Sequence, residues 1–425
     1  MERRTFLLGG AFALRALGAN DKVNVAIVGV GSRGKEHIRQ YLAQPAARVA
    51  ALCDVDTAQT ERGAQTVEKA SGARPKIYQD LRRLYDDKEI DAVSIATPNH
   101  WHALATVWAC QAGKDVYCEK PACYNIFEGQ RMVEAARKYD RIVQVGMQSR
   151  SMPYKRRAIE LLRGGAIGKV YMARGICFKV RHSIGKTPAQ PAPPGLDWDI
   201  FLGPAPMRAF TQNRFHYNWH WFWDTGNGDI GNQGIHEMDV ARWGLGRGLP
   251  NRVVSTGGKF VYDDDQETPN TQIATFDYGD AELVFEVRGL PTGGESSIHA
   301  GGPNFIGVTF FGDKGYLSLD QKGFEIFLGD KREPGESGVA EKGDTGPHMA
   351  NFLEAVKSRR IADLHGEVQE GVTSAALVHM ANTSYRLGRS LNFDPATQSY
   401  KNDAEADAMR TRPHYREPYV FPRLS

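Results

Sequence analysis

The sequence predicts an α/β protein in two parts: a doubly wound parallel sheet, then an α+β unit with an open-faced, mostly antiparallel sheet. Three observations carry this. Continuous apolar runs, each followed by a helical stretch, recur through the first 147 residues, as strands buried on both faces of a parallel sheet require. The first run enters the turn Gly29-Val30-Gly31-Ser32-Arg33-Gly34. Beyond residue 250, apolar and polar residues alternate between Gly/Asp turns, which suits a sheet covered on one side only. The 425 residues are enough for two or three domains. A hydrophobic content of 41% with 24% charged residues is globular. The near balance of 53 basic and 50 acidic residues gives no basic footprint for nucleic acid. No apolar run reaches the roughly 20 residues needed to cross a bilayer.

Residues 1–19 read as an export signal. Arg3-Arg4 precedes Thr5-Phe6-Leu7, an apolar run continues to Leu14, and small residues surround Gly18. The arginine pair resembles the twin-arginine type, so the expected location is periplasmic or secreted, with the chain exported folded. The five cysteines lie mostly in apolar runs without paired metal-site spacing, and inert buried thiols are expected. His216 and His220 stand four apart, but the Trp-rich sequence around them is a poor helix, and no metal site is expected.

Residues 20–147 form the first unit. The strand at 23–29 meets the glycine turn, a helix follows over 35–43, and the strand at 48–53 ends on Asp54. Gly29 permits the tight turn, Gly31 lets the backbone approach a pyrophosphate, and Gly34 lets helix pack on strand. Ser32 and Arg33 open the helix, whose N-terminal N–H groups suit phosphate. Asp54, 20 residues after Gly34, is placed to hold ribose hydroxyls. This is a Rossmann fingerprint. A carboxylate at 54 repels a 2′-phosphate and favours NAD over NADP, although Arg33 and Arg62 could soften that repulsion. Strands at 90–96, 114–118 and 142–146 follow, the first two ending in Thr97-Pro98-Asn99-His100-Trp101-His102 and Glu119-Lys120-Pro121. In an open parallel sheet these C-terminal ends face the ligand.

These motifs, with Gly231-x-x-Gly234-x-His236-x-x-Asp239, resemble the Gfo/Idh/MocA family of glucose–fructose oxidoreductases and inositol dehydrogenases. The resemblance covers nearly the whole chain after residue 19. It implies an NAD(P) cofactor and a sugar, polyol or related carbonyl substrate. It implies that Lys120 lies between nicotinamide and substrate and that His236 is the catalytic histidine, with Asp239 on the same helix face able to hold its ring. Many relatives carry an Asp four residues before this histidine. Here Asn232 stands there, which can bond a hydroxyl but cannot carry its proton. The candidate catalytic set is therefore Lys120, His236 and Asn232. The candidate cofactor shell is Gly29, Gly31, Ser32, Arg33, Gly34, Asp54, Thr97, Pro98, Asn99, His102, Glu119, Lys120, Gln148 and Trp198.

Residues 148–400 form the second unit, with a helix at 152–163 and a strand at 168–178. An irregular loop with six prolines spans 186–206, and through Trp198 the resemblance brings it over the cofactor. Three tryptophans fall within residues 219–223, beside His216, Tyr217 and Asp224. Aromatic planes beside polar groups suit the apolar faces of a sugar, and they equally suit core or interface packing. The candidate substrate residues are Lys120, Arg150, Tyr154, Tyr217, Trp219, Asn232 and His236. Strands are expected at 252–259, 271–278, 282–288, 305–311 and 316–319, with helices at 348–360 and 369–388. The open sheet is expected to join a homodimer or homotetramer, and residues 401–425 to form an arm over a neighbour. Three readings follow. One is an NAD-dependent oxidoreductase with cofactor recycled between two substrates. The second is a glycosidase or lyase using transient oxidation and elimination. The third is a non-catalytic sugar-binding protein.

Overall fold

The computed structural model describes residues 22–291, 305–341 and 345–424; the expected export signal lies outside the described residues. The first unit is a six-stranded parallel sheet of β1 (Val23–Val28), β2 (Ala47–Cys53), β3 (Lys76–Tyr78), β4 (Ala92–Ile95), β5 (Asp115–Cys118) and β6 (Val143–Val145). Their order, β3-β2-β1-β4-β5-β6, reverses between β1 and β4, which opens a crevice at the C-terminal ends. β3 is a short Lys-Ile-Tyr segment with no apolar run to announce it. The helix Thr57–Ser71 starts on Asp56, whose carboxylate accepts from Ala58 N, and stops at Gly72 with φ +74°.

The second sheet has ten strands. They are β7 (Val170–Phe178), β8 (Arg252–Gly258), β9 (Thr271–Asp277), β10 (Glu282–Arg288), β11 (Phe305–Gly312), β12 (Gly315–Asp320), β13 (Gly323–Leu328), β14 (Glu333–Val339), β15 (Leu391–Asp394) and β16 (Ser399–Tyr400). Among the described residues only the β7–β10 pair of this sheet is parallel. β14, absent from the expected set, is a polar edge strand containing Pro334, a residue sheet edges tolerate. Val253, Ala274, Phe276, Leu283 and Phe285 face inward against the helices Gly234–Leu245 and Val368–Leu387. On the other face Val254 and Ile273 stand 41% and 43% exposed.

The two units share their cores. The helix Gly346–Ser358 packs on the helix Ser32–Leu42 and on β5, and its Met349, Phe352, Leu353 and Val356 join the apolar cluster that holds Val23, Val25 and Ile27 of β1. Each fully buried side chain of this kind is worth about 1.5–3 kcal/mol. The edge strand β6 is covered rather than bare: Val145 N donates to Gly366 O at 2.7 Å, and Gln144 Nε2 to His348 O at 2.7 Å. All five cysteines are buried and free.

The C-terminal residues pack on both units of their own chain. Phe127 N donates to Arg410 O at 2.9 Å, the Arg412 guanidinium lies 3.7 Å from the Tyr124 ring, and Arg416 pairs with Asp199 of the second unit. Tyr419 reaches Trp101 edge-on at 5.5 Å.

Candidate active site

A cleft of about 660 Å³ runs from the glycine turn to the aromatic segment. At its first end the three glycines differ in what they allow. Gly29 has φ +85°, and a Cβ there would sit 2.7 Å from Ala96 O. A Cβ on Gly34 would be 1.9 Å from Gly29 O, the close approach of helix to strand. At Gly31, which lines the cleft, a Cβ meets nothing within 4 Å, the room that a pyrophosphate needs. The helix Ser32–Leu42 begins with no side-chain cap and no acid in its first turn. Its leading N–H groups are thus left for an anion. The buried Thr97 hydroxyl, also lining the cleft, has no partner among the described residues.

Asp54 closes this end. Its Oδ2 accepts from Val30 N at 2.6 Å and its Oδ1 from Asp56 N at 2.9 Å. Each oxygen keeps a lone pair for a ribose hydroxyl. Burial raises its pKa to about 6. Arg33 does not soften this carboxylate. Its Nε donates to Glu119 Oε1 at 2.6 Å and its Nη2 to Thr345 Oγ1 at 3.3 Å. Glu119 also meets His37 at 3.0 Å, and Arg33 and His37 hold it ionised, well below its usual range.

Lys120 follows directly, at the centre of the cleft. Its Nζ donates to Asn232 O at 2.6 Å. Burial lowers its pKa to about 8, against the pull of Glu119. Asn232 stands on the short helix Gly228–Asn232, and its Nδ2 reaches Tyr217 Oη at 3.2 Å and Asp229 Oδ1 at 3.4 Å. Asp229 is gripped from below by Arg181, Nη2 to Oδ1 at 2.8 Å and Nε to Oδ2 at 3.2 Å. Arg181 Nη1 meets the Tyr217 hydroxyl at 3.3 Å. With the amide nitrogen so engaged, Asn232 Oδ1 is left as the acceptor. An acid one helical turn before Asn232, and an arginine just past the end of β7, were the available signals for Asp229 and Arg181.

The expected histidines divide. His102 sits between two main-chain oxygens, Nδ1 2.6 Å from Pro121 O and Nε2 2.8 Å from Thr97 O; burial favours its neutral form, whose one N–H donates to one of them and so links the ring to a cofactor-facing turn. Asn99, buried in the same wall, donates to Asn227 Oδ1 at 3.0 Å. His236 is half-buried, and its ring has no hydrogen-bond partner among the described residues. Burial, with the nearby charge of Lys120, lowers its pKa to about 3 and keeps it neutral. Asp239 does not hold its ring. That carboxylate is fully buried and accepts from Arg150 at 2.8 and 2.9 Å and from Ser374 Oγ at 2.7 Å.

Six expected residues are not among those lining the cleft: Gly34, His236 and the four that follow. Arg150 is drawn away by Asp239 and Glu370. Tyr154 donates to Asp320 O at 3.0 Å on the second sheet. Gln148 sits behind the wall, donating to Tyr117 Oη and Glu119 Oε1, each at 3.3 Å. Trp198 stacks on Phe201 at 4.7 Å and donates to Arg208 O at 2.7 Å, so Phe201 rather than Trp198 faces the cleft. Tyr217 and Trp219 do line it, with Phe215 and His216.

The proline-rich loop is tied as a strap to the segment just beyond Asp54. Asp197 N donates to Val55 O at 2.9 Å, and Thr57 N to Gly195 O at 3.1 Å. Gln79 Nε2 bonds both Val55 O and Gly195 O, at 3.0 and 3.2 Å. His216 Nε2 lies 3.6 Å from Asp56 Oδ2 on the same side.

Glycine turn, ribose carboxylate and central lysine thus share one crevice. Residues 23–147 match the profile of an oxidoreductase family with an NAD-binding Rossmann fold, and residues 164–268 and 322–421 match that family's C-terminal alpha/beta domain. The chain belongs to the Gfo/Idh/MocA oxidoreductase family. Its cofactor is NAD, and its family is one of oxidoreductases. It is 30% identical to inositol 2-dehydrogenase 2 of Saccharopolyspora erythraea over 236 residues, 55% of this chain and 57% of that protein. It is 28% identical over 240 residues to 2,7-anhydro-N-acetylneuraminate hydratase of Mediterraneibacter gnavus, 56% of this chain and 54% of that one. An oxidoreductase domain protein from Kribbella flavida shares the fold with a TM-score of 0.68 at 18% identity, covering 88% of this chain and 99% of that one.

Proposed function

We propose that this protein oxidises a carbinol carbon of a sugar or polyol, with Lys120 handling the hydroxyl proton and NAD retained between turnovers. Bound NAD supplies a hydride acceptor. The residues that would hold it are Gly31, Ser32, Asp54 and Thr97, on the open glycine turn, the uncapped helix start and the orphaned hydroxyl already described. The single observation that carries the reading is Lys120, a cation with a pKa lowered to about 8 inside the cleft. Neutral Nζ can take the proton from a substrate oxygen, and charged Nζ can stabilise the resulting oxyanion. Asn232 Oδ1 accepts from a neighbouring hydroxyl, and the Tyr217 and Trp219 rings offer apolar faces to a sugar's C–H side. Neutral His236, too hard to protonate to serve as a base, is a candidate N–H donor to a substrate oxygen near Lys120. Retention of NAD is supported by the strap, which fixes the segment that follows Asp54. The test denatures purified protein, measures released NAD, and then screens sugars and polyols for reduction of bound NAD in a single turnover. Protein without NAD, unreactive toward every polyol, would sink the reading.

A second reading is favoured by Asn232. Without an acid there, oxidation can serve to acidify a neighbouring C–H and permit elimination, after which the hydride returns and NAD is regenerated. The relation to a hydratase points the same way. Turnover with no net change in NADH separates it from ordinary dehydrogenation. A non-catalytic sugar-binding role gains nothing from a depressed lysine in the cleft. Two further proposals concern the setting. The arginine pair at residues 3 and 4 supports export in folded form, and unimpaired export of an Arg3→Lys, Arg4→Lys variant would refute it. The exposed Val254 and Ile273 on the open sheet support a homodimer or homotetramer, which light scattering decides.

A further inference from the structure

A second cavity, of about 260 Å³, shares no residue with the cofactor cleft. It lies between the helix Pro153–Arg163, the helix Gly234–Leu245 and the turn before Val368. Three arginines line it: Arg150, Arg156 and Arg163. Arg150 is neutralised by Asp239 and Glu370, and its guanidinium lies 5.3 Å over the Trp243 ring that forms one wall. Arg156 donates only to Arg150 O, at 3.4 Å, and neither Arg156 nor Arg163 has an acidic partner among the described residues. Glu160, the acid in the lining, already faces Arg157 at 3.9 Å. His365 completes the polar wall. Its Nδ1 is engaged with Ser151 Oγ at 2.8 Å, and burial and the Arg156 charge lower its pKa.

Most exposed arginines in this protein lie beside carboxylates, among them Arg39, Arg74, Arg157 and Arg389. Arg156 and Arg163 instead line one cavity and pair with no carboxylate, although Glu160 lies in the same lining. Planar guanidinium groups with free N–H donors match the geometry of tetrahedral oxyanions. We infer that this cavity binds a small phosphate-type oxyanion through Arg156 and Arg163, with Trp243 as an apolar floor. The volume is below that of most drug-sized pockets and admits a phosphoryl group with little attached. Inorganic phosphate and the phosphoryl group of a small sugar phosphate share this chemistry.

The test uses NAD-loaded protein, so that the glycine turn does not compete for phosphate. Inorganic phosphate and glucose 6-phosphate are titrated calorimetrically at fixed ionic strength. Saturable binding is expected, weakened at least tenfold by Arg156→Gln and by Arg163→Gln, and tightened by Glu160→Gln. Both arginines are at least partly exposed and unpaired, so their variants should fold. Equal affinity for the two probes would assign the free ion, and tenfold tighter binding of the sugar phosphate would assign the esterified group. Absence of saturable binding, or binding unchanged in both arginine variants, overturns the inference.

Discussion

Lys120→Met separates what the lysine does for the reaction from what it costs the fold. In the native state its pKa is about 8, against about 10.4 for a free lysine. Burial is the cause, so the charged form is the one penalised. A lysine whose folded pKa is depressed destabilises the native state fully below that pKa, and the penalty vanishes as pH rises past the unfolded value. A shift of roughly 2.5 units corresponds to about 3 kcal/mol at pH 7. The lost Nζ bond to Asn232 O, worth about 0.5–1.5 kcal/mol, offsets part of this. The methionine variant should therefore be more stable than wild type by about 2 kcal/mol at pH 7, with the gain shrinking between pH 8 and 10.5. The same shift governs rate. If neutral Nζ is the base, as proposed, single-turnover oxidation should rise about tenfold per pH unit below 8 and level above it. Denaturant titrations at pH 7 and pH 10 give the first quantity, and stopped-flow NADH absorbance gives the second. The reasoning is refuted if the variant is less stable at pH 7, or if wild-type hydride transfer is flat from pH 6 to 9.

Asp54→Ala should weaken NAD binding and relax discrimination against NADP, which fluorescence titration of both cofactors measures; tighter binding of NADP by wild type would contradict the assignment. Asn232→Asp places an acid beside Lys120 and should accelerate hydride transfer if the native reaction is ordinary polyol oxidation; slower reduction of bound NAD in single turnover would oppose that. Shortening the strap by deleting residues 195–197 removes its contacts to Val55 and Thr57, so NAD should dissociate at least tenfold faster; unchanged retention on gel filtration would show that the strap does not hold the cofactor.

The cofactor end of the site was legible because its chemistry is local. Gly29, Gly31, Gly34 and Asp54 sit on consecutive elements at fixed spacing, and the strand-to-helix turn dictates where they point. Lys120 was legible for the same reason, since β5 ends immediately before Glu119. The substrate end is assembled from segments more than 100 residues apart, and there sequence order is a poor guide. Arg150 and Tyr154 follow β6 closely enough to suggest the cleft, yet a buried Asp239 captures one and the second sheet captures the other. Trp198 was placed over the cofactor, but stacking on Phe201 satisfies its ring and Arg208 O its indole N–H. Arg181 and Asp229 passed unnoticed because neither belongs to a motif. Their importance comes from meeting beneath Asn232.

The cover over β6 also bears on how the chain matures during synthesis. Ribosomes release the Rossmann strands first, but Gln144 and Val145 wait for partners near residues 348 and 366. Until then β6 is an open edge and the apolar cluster that holds Val23, Val25 and Ile27 of β1 lacks Phe352 and Leu353. Closing contacts about 200 residues apart is slow, and a nascent chain with an unpaired strand is prone to aggregate. The nucleotide-binding half is therefore finished by the last quarter of the polypeptide. A stop codon placed after the first unit should yield a sticky, protease-sensitive fragment rather than a free-standing cofactor-binding module.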